Sequence, residues 1–159
     1  MIRPAHPSDA AQICAIWNPE IRDTLVTFNS VERTPDDITS MIADKGDGFV
    51  VFEGNDENVL GFAFYGQFRG GVGYRHTGEH TIVLAPAARG QGAGRALMDA
   101  ICDHARNAGF HSLFAGVSAG NPDGVAFHAR LGFDTVARLP QVGRKFDRWI
   151  DLILMQKML

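Results

Sequence analysis

The stretch IVLAPAARGQGAGRAL, residues 82–97, decides the fold class of this chain. An apolar run leads into glycines at positions 90, 92 and 94, which lie between two arginines and precede a helical pattern. Glycine lacks a Cβ atom, so successive backbone N–H groups of such a loop can converge on an anion, and the following helix N-terminus adds partial positive charge. The pattern predicts a cradle for a diphosphate, with a flexible strand–helix turn as the alternative.

Two common nucleotide-binding loops are excluded by single positions. The dinucleotide-binding fingerprint needs a third glycine at position 95, which is arginine, and an acidic residue after the next strand, where the chain has Ser118. The triphosphate P-loop needs a lysine followed by serine or threonine, and neither follows these glycines. Arg89 and Arg95 remain as countercharges for a diphosphate.

The composition indicates one ordinary globular domain over residues 1–159, since 45% of the residues are hydrophobic and 21% are charged. The net charge of −3 provides no general surface for nucleic acid or membrane, so neither is an expected partner. Cys14 and Cys102 fall in apolar helical patterns and are interpreted as buried free thiols in a reducing compartment. No apolar run resembles a signal core or a bilayer span, and we therefore expect a cytoplasmic protein.

Periodicity predicts the element order βααβββαβαββ, which one mixed α/β sheet flanked by helices accommodates. Pro19 predicts a kink or a restart in the first helix, before residues 20–28. The last two strands are expected to pair antiparallel. The predicted strands are 1–5, 49–53, 59–68, 79–85, 112–118, 134–143 and 145–156, and the predicted helices are 7–28 with that break, 34–46, 91–108 and 121–133.

Residues 82–97 resemble the acetyl-coenzyme-A motif of the GNAT superfamily of N-acetyltransferases, and NPDGVAFHARLGF at 121–133 resembles its second motif. Three further stretches are similar to the phosphinothricin / methionine sulfoximine N-acetyltransferases of that superfamily: WNPEIRDTLVTF, YRHTGEHTIVL and LPQVGRKFDRWIDLILMQ. The resemblance covers nearly the whole chain. It implies the GNAT fold, an α/β (α+β) domain with a single mixed, mostly antiparallel sheet of about seven strands and about four flanking helices.

The resemblance also implies an activity. Members of this group transfer the acetyl group of acetyl-CoA to the α-amino group of small glutamate-like amino acids, such as L-methionine sulfoximine, L-methionine sulfone and L-phosphinothricin, which detoxifies them. We therefore expect acetyl-CoA as co-substrate, a small amino acid as acceptor, direct transfer in a ternary complex and a homodimer. Two alternatives stay open: a GNAT enzyme for another small amine or a protein N-terminus, and a CoA-binding sensor without catalysis.

Two residues are candidates for proton transfer. An α-amino group is mostly protonated near neutral pH, so a base must remove a proton before the amine attacks. The resemblance places a catalytic carboxylate at Glu79, whose alternative role is a surface glutamate at a strand start. His128 stands where most of the superfamily has a tyrosine proposed to protonate the departing thiolate, and a histidine packed against the sheet edge is its alternative.

The expected acetyl-CoA contacts lie on a strand, the glycine loop and the helix starts. Backbone N–H groups of residues 82–84 should hold the thioester carbonyl and pair with pantetheine, which leaves a splayed strand before Pro86. Position 124 is glycine where related chains often carry a small polar residue, so one contact is expected to be missing. The residues predicted to bind acetyl-CoA are Ile82, Val83, Leu84, Arg89, Gly90, Gln91, Gly92, Ala93, Gly94, Arg95 and Asn121.

The expected acceptor site centres on the glycine-rich loop before Glu79. Arg69 and Arg75 could hold an α-carboxylate and a tetrahedral oxo group by forked hydrogen bonds, or be solvated loop arginines. Trp149 could wall the pocket, and Arg144 and Asp147 depart from the usual aromatic residue and glycine. No metal site is expected, because the histidines at positions 76 and 80 lack a supporting ligand cluster. The residues predicted to bind the acceptor are Phe28, Arg69, Gly70, Gly71, Tyr74, Arg75, Glu79, His80 and Thr81.

Overall fold

A computed structural model describes residues 1–159 and contains one seven-stranded sheet with four α-helices. The strands are β1 (Ile2–Pro4), β2 (Val50–Glu53), β3 (Val59–Gln67), β4 (Thr77–Leu84), β5 (Ser112–Ser118), β6 (Asp134–Lys145) and β7 (Arg148–Met158), and the helices are α1 (Ala10–Asp23), α2 (Pro35–Lys45), α3 (Ala93–Asn107) and α4 (Pro122–Arg130). The spatial order is β1-β2-β3-β4-β5-β7-β6, and only β4 and β5 pair in parallel. The predicted element order and the mixed, mostly antiparallel sheet are confirmed.

Two apolar layers hold the helices on opposite faces of the sheet. On one face α1 and α2 pack on the strands through a buried cluster that includes Ile13, Trp17 and Phe62. On the other face α3 packs through Leu97 and Ile101 against β3, β5 and β7. Burying one large apolar side chain fully stabilises the fold by about 1.5–3 kcal/mol. These layers therefore fix the position of the helices over the sheet.

Helix α1 runs through Pro19 without a break, so the predicted restart is wrong. Proline removes one backbone hydrogen bond and crowds the preceding turn. Here Pro19 is exposed, while Trp17 and Ile21 continue the buried stripe on both sides of it. The helix ends at Asp23, where the hydroxyl of Thr24 donates to the carbonyl of Glu20 at 2.7 Å. Residues 24–30, predicted as helical up to 28, therefore form a loop.

Strand β4 separates from β5 halfway along its length. Pairing between the two strands covers only Thr77 to Glu79 opposite Ser112 to Phe114. Beyond Glu79, β4 stays paired with β3 as far as Leu84, and β5 stays paired with β7 as far as Ser118. The two strands thus enclose a V-shaped gap, which confirms the predicted splayed strand.

The last two strands form the predicted antiparallel hairpin, with a shifted boundary. Lys145 ends β6, and the turn consists of Phe146 and Asp147, which have φ angles of 53° and 58°. Two successive residues with positive φ are typical of the tight hairpin turns whose twist matches that of the strands. The strand predicted to start at position 145 therefore starts at Arg148.

Cys14 and Cys102 are both buried and free, as predicted. Cys14 lies on α1 and Cys102 on α3, in the two different apolar layers, so the sheet separates them. None of the four helices combines the length and the apolar character needed to cross a bilayer.

Candidate active site

A cleft of about 980 Å³ opens at the gap between β4 and β5. Its walls are the free edges of these strands, the glycine loop before α3, the face of α4, and the segment that joins α1 to α2. The predicted site residues that line it are Phe28, Glu79, His80, Thr81, Ile82, Val83, Leu84, Arg89, Gly90, Gly92, Ala93, Gly94, Arg95, Asn121 and His128. The predicted site residues that do not line it are Arg69, Gly70, Gly71, Tyr74, Arg75, Gln91 and Trp149.

The glycine loop presents unbonded N–H groups to the cleft. Gly92 has a φ angle of 73° and precedes the first residue of α3, a left-handed backbone that glycine adopts without strain. The first bond into the helix runs from the N–H of Ala96 to the carbonyl of Gly92 at 3.0 Å, and the N–H groups of residues 93–95 have no backbone acceptor. With the exposed Arg89 and Arg95 beside them, these donors fit a diphosphate.

Gln91 takes a different role from the one predicted. Its N–H donates to the carbonyl of Ala88 at 3.3 Å, and its side-chain amide donates to the carbonyl of Ala87 at 2.7 Å. The side chain is therefore folded back on the turn and stabilises the loop from outside the cleft.

The free edge of β4 offers two further donors. The bonds from the Ala85 N–H to the Leu60 carbonyl, and from the Phe68 N–H to the Thr77 carbonyl, show that odd-numbered residues of β4 bond to β3. Backbone direction alternates along a strand, so the N–H groups of Ile82 and Leu84 point into the gap. Val83 differs from the prediction, since its N–H belongs to the β3 ladder.

Glu79 lies where the gap begins. A Cβ atom at Gly116 of β5 would come within 2.9 Å of its Oε2 atom, so the missing side chain at Gly116 makes the room that the carboxyl occupies. Burial raises the pKa of the half-buried Glu79 carboxyl above its usual value of 4.5, and Glu79 forms no ion pair. Such a carboxyl can exchange a proton with a group held in the gap.

His80 and His128 form a buried pair on the opposite face of the sheet from Glu79. Their Nε2 atoms lie 2.9 Å apart, and Nδ1 of His128 donates to the carbonyl of Gly124 at 2.7 Å. Burial lowers the pKa of both rings, to about 3 for His80, so both are neutral at neutral pH. Because Nδ1 carries the His128 proton, its Nε2 accepts from His80, and Nδ1 of His80 has no hydrogen-bond partner.

The loop at residues 24–30, which we call the roof, lines the cleft on the side of α1. The ring of Phe28 packs on Gly143, where a Cβ atom would lie only 2.6 Å from it. The buried Lys145 donates from Nζ to the carbonyl of Thr27 at 2.8 Å. These contacts were missed from the sequence, and no local signal links positions so far apart. The predicted aromatic wall at Trp149 lies elsewhere, 60% exposed beneath the guanidinium of Arg144.

The loop that carries Arg69 and Arg75 is turned away from the cleft. The side-chain amide of Gln67 donates to the carbonyls of Arg69 and Gly71 at 2.6 and 2.8 Å, which curls the loop upon itself. The Arg69 guanidinium lies 5.8 Å from the centre of the Tyr74 ring, and residues 69–76 are all exposed. The structure thus places the predicted arginine pair outside the cleft of the same chain.

The start of α4 is capped by Asn121. Its Oδ1 accepts the N–H of Gly124 at 3.1 Å. A Cβ atom at Gly124 would overlap the Asn121 amide as it is placed here, so a larger residue at position 124 would require that amide to shift. The structure contains no group of three or more histidine, cysteine or acidic residues that could hold a metal ion.

Comparisons with known proteins match this geometry. Residues 14–133 match the acetyltransferase (GNAT) family. The chain is 36% identical over 161 residues to the L-methionine sulfoximine/L-methionine sulfone acetyltransferase of Pseudomonas paraeruginosa, a match that covers 98% of this chain and 92% of that protein. The likeness therefore extends over nearly the whole of both sequences.

Two solved structures are similar over the full length of this chain. The ribosomal-protein-alanine N-acetyltransferase from Brucella melitensis has a TM-score of 0.93 at 37% identity, and the match covers 100% of this chain and 99% of that one. An acetyltransferase from Salmonella typhimurium with its cofactor acetyl-CoA has a TM-score of 0.93 at 35% identity, covering 100% and 93% of the two chains.

Replacing Glu79 with glutamine is expected to stabilise the fold at neutral pH. Since burial raises the pKa of Glu79 in the folded chain, that chain binds more protons than the unfolded one between the two pKa values, and the free energy of unfolding falls as pH rises through this window. Glu79→Gln removes that fall. The variant should therefore have a higher free energy of unfolding than the natural chain at about pH 8, and the difference should fade as the pH drops towards the usual carboxyl pKa of 4.5.

Urea unfolding across this pH range measures the effect, with Glu57→Gln at an exposed turn as the matched control. If Glu79→Gln were less stable than the natural chain at about pH 8, the result would contradict the burial that raises the pKa of this carboxyl.

Proposed function

The chain belongs to the GNAT acetyltransferase family, and from this premise we propose that it acetylates the α-amino group of a small amino acid such as L-methionine sulfoximine, L-methionine sulfone or L-phosphinothricin. Acetylation would detoxify these compounds. The observation that carries the proposal is the half-buried Glu79 carboxyl without a cationic partner, at the mouth of the gap where β4 leaves β5. The named activity of the Pseudomonas relative supports the choice of acceptor.

The donor side of the cleft suits acetyl-CoA, which supplies an acetyl group as a thioester. The N–H groups of residues 93–95, with Arg89 and Arg95, would hold its diphosphate. The N–H groups of Ile82 and Leu84 would pair with the pantetheine arm and donate to the thioester carbonyl oxygen, which gains negative charge during transfer. Donors fixed by the β3 ladder need no rearrangement at that moment.

Glu79 would act as the general base in a direct transfer within a ternary complex. Its raised pKa brings the carboxylate closer in basicity to the ammonium group that it must deprotonate, directly or through one water. The carboxylate must be ionised to accept the proton, so kcat/KM rises with pH through the pKa of Glu79. The room over Gly116 keeps the carboxyl at the mouth of the gap.

His128 would position α4 and would not protonate the departing thiolate. The neutral ring has its one proton on Nδ1, where the Gly124 carbonyl accepts it, and none on Nε2, which accepts from His80. A thiol has a pKa of about 8.5, so the thiolate is stable enough to depart without an acid beside it. We therefore assign His128 to holding α4 against β4.

A second candidate acceptor is the N-terminal amine of a protein. The similar structure from Brucella melitensis is named a ribosomal-protein-alanine N-acetyltransferase, at 37% identity. The cleft is open to solvent along the edge of β4, so an extended chain end could approach it. A CoA-binding sensor without catalysis is less favoured, because the carboxyl and its glycine-made space are both present.

The purified chain is expected to release free thiol from acetyl-CoA with L-methionine sulfoximine, L-methionine sulfone or L-phosphinothricin, and N-acetylation is confirmed by mass spectrometry. A peptide with N-terminal alanine is the competing acceptor in the same assay. Release with the peptide alone would establish the second candidate. Acetyl-CoA binding without release on any amine would establish the sensor.

Two variants separate the roles of the base and the histidine. Glu79→Gln is expected to lower kcat by about 10²–10⁴-fold and to remove the acidic limb of the pH profile, with acetyl-CoA affinity unchanged by calorimetry. His128→Asn should cost less than about tenfold in kcat and leave the acidic limb in place, since general acid catalysis is worth about 10²–10⁴-fold. A loss of about 10²-fold or more in kcat for His128→Asn, with acetyl-CoA affinity unchanged, would restore the acid role.

We also propose that the enzyme is a cytoplasmic homodimer. The buried free thiols of Cys14 and Cys102 suit a reducing compartment. Several apolar side chains are exposed along the hairpin of β6 and β7, which ends the sheet. Those exposed by half or more are Val136, Val142, Phe146, Trp149 and Met158.

Trp149→Lys is expected to shift the chain from dimer to monomer in sedimentation equilibrium, because a lysine would be desolvated at the contact. Val31→Lys, at a side chain that is 72% exposed in the segment joining α1 and α2, is the matched control and should leave the dimer intact. A natural chain that sediments as a monomer would refute the dimer.

A further inference from the structure

The acceptor side of the cleft contains one cation that none of the roles above uses. Four arginines line the cleft: Arg33, Arg89, Arg95 and Arg130. Arg89 and Arg95 flank the diphosphate cradle, and Arg130 ends α4. Arg33 alone comes from the segment between α1 and α2, next to the roof.

The backbone of Arg33 is held rigidly by one side chain of α1. Oδ1 of Asn18 accepts the Arg33 N–H at 2.8 Å, and Nδ2 of Asn18 donates to the Arg33 carbonyl at 2.9 Å. The guanidinium then lies over the Trp17 ring, 5.0 Å from its centre. Trp17 is itself buried, with its ring 5.2 Å from that of Phe62 and 5.9 Å from that of Phe64. Arg33 therefore rests on a fixed aromatic base.

This aromatic base places Arg33 on the same face of the sheet as Glu79. Phe64 is the cross-strand partner of Thr81. Side chains of paired residues project from the same face, and so do side chains two positions apart on one strand. One face of the sheet thus carries Phe64, Thr81 and Glu79. Trp17 packs on this face beside Phe64, and Arg33 lies over Trp17.

Apart from its contact with the Trp17 ring, the Arg33 side chain makes no hydrogen bond or ion pair within the chain. Its Nε atom is buried without a hydrogen bond, and no carboxylate lies within ion-pair distance of the guanidinium. The neighbouring Glu32 pairs with Arg22 instead. A buried cationic group without an acceptor or a counter-charge is costly, and a ligand carboxylate in the cleft would compensate the charge of the guanidinium.

We propose that Arg33 binds the α-carboxylate of the acceptor amino acid and so selects free amino acids over peptides and simple amines. The proposal rests on the proposed function and names a residue for the acceptor's carboxylate, since Arg69 and Arg75 lie outside the cleft. In an α-amino acid the carboxylate and the amine share one carbon. When the amine of such a molecule meets Glu79, the carboxylate therefore lies on the same face of the sheet. On that face the Arg33 guanidinium offers two parallel donors.

The selection follows from chemistry at that one carbon. An N-terminal residue of a protein carries an amide carbonyl in place of the carboxylate, so it gives Arg33 no negative charge to bind. A simple alkylamine gives it no oxygen at all. Both would leave the guanidinium without a counter-charge in the cleft, which disfavours them relative to a free amino acid.

The test compares Arg33→Gln with the natural enzyme on two acceptors, L-methionine sulfone and 3-(methylsulfonyl)propylamine, which lacks only the carboxylate. Arg33→Gln is expected to lower kcat/KM for the amino acid by about 10- to 100-fold, mainly through KM, and to change kcat/KM for the amine by less than about twofold. Arg33→Lys should recover part of the loss, because it keeps the charge without the fork.

Arg106→Gln is the matched control, because Arg106 lies on the exposed side of α3 and pairs only with Asp103. Acetyl-CoA affinity and thermal unfolding of each variant show that the fold is retained. Equal losses on both acceptors, or no loss on the amino acid, would overturn the assignment. A loss on the amino acid confined to Arg69→Gln or Arg75→Gln would transfer it to that loop.

Calorimetric binding of L-methionine sulfone to the enzyme with CoA separates the two proposals. If the natural enzyme binds the sulfone without turnover, the proposed function fails, and weaker binding to Arg33→Gln still supports the carboxylate site. If the natural enzyme binds no amino acid, both proposals fall.

Discussion

The divergence of β4 from β5 after Glu79 is the constraint on which the rest of the structure depends. Each strand remains bonded along its other edge, β4 to β3 and β5 to β7, so the gap stays open in a rigid sheet. If the parallel pairing continued, the N–H groups of Ile82 and Leu84 would be used by the ladder, and the cleft would close. The strand donors and the carboxyl both take their positions from this one separation.

Polar groups without full compensation collect around the gap. The Glu79 carboxyl has no cationic partner, Nδ1 of His80 has no hydrogen bond, and neither has Nε of Arg33. No other buried side-chain nitrogen or oxygen lacks a hydrogen-bond partner. Such a distribution is expected when the stability of the scaffold offsets groups that are kept ready for a ligand. It also explains why these polar groups lie beside the well-packed apolar layers and not within them.

Much of the fold could be predicted from local patterns, because each strand, helix cap and glycine turn is specified by neighbouring residues. The loop at residues 90–94 is an example, since its N–H groups, its arginines and its helix start belong to one stretch. Pro19 does not break α1, because burial of Trp17 and Ile21 outweighs the cost of one lost hydrogen bond. Tertiary packing decided that element, and a local rule could not report it.

The acceptor side was harder to predict, for a physical reason. Arg69 and Arg75, predicted to hold the acceptor, lie outside the cleft, on a loop that Gln67 holds through the carbonyls of Arg69 and Gly71. The bond between Lys145 and Thr27 joins positions 118 residues apart. The importance of Arg33 follows from the clamp of Asn18 and the ring of Trp17, neither of which has a sequence signature. Long-range contacts of this kind carry no periodicity.

The two walls of the cleft differ in how freely they can evolve. The sheet wall is filled at one point: Gly116 leaves the space that the Glu79 carboxyl occupies, so a substitution there would disturb the proposed base. The roof at residues 24–30 is fastened by the Lys145 bond and by the packing of Phe28 on Gly143, on a hairpin to which the proposed mechanism assigns no proton transfer. A lineage could therefore exchange the roof and its hairpin as a module, reshaping the acceptor pocket while the reaction centre is inherited unchanged.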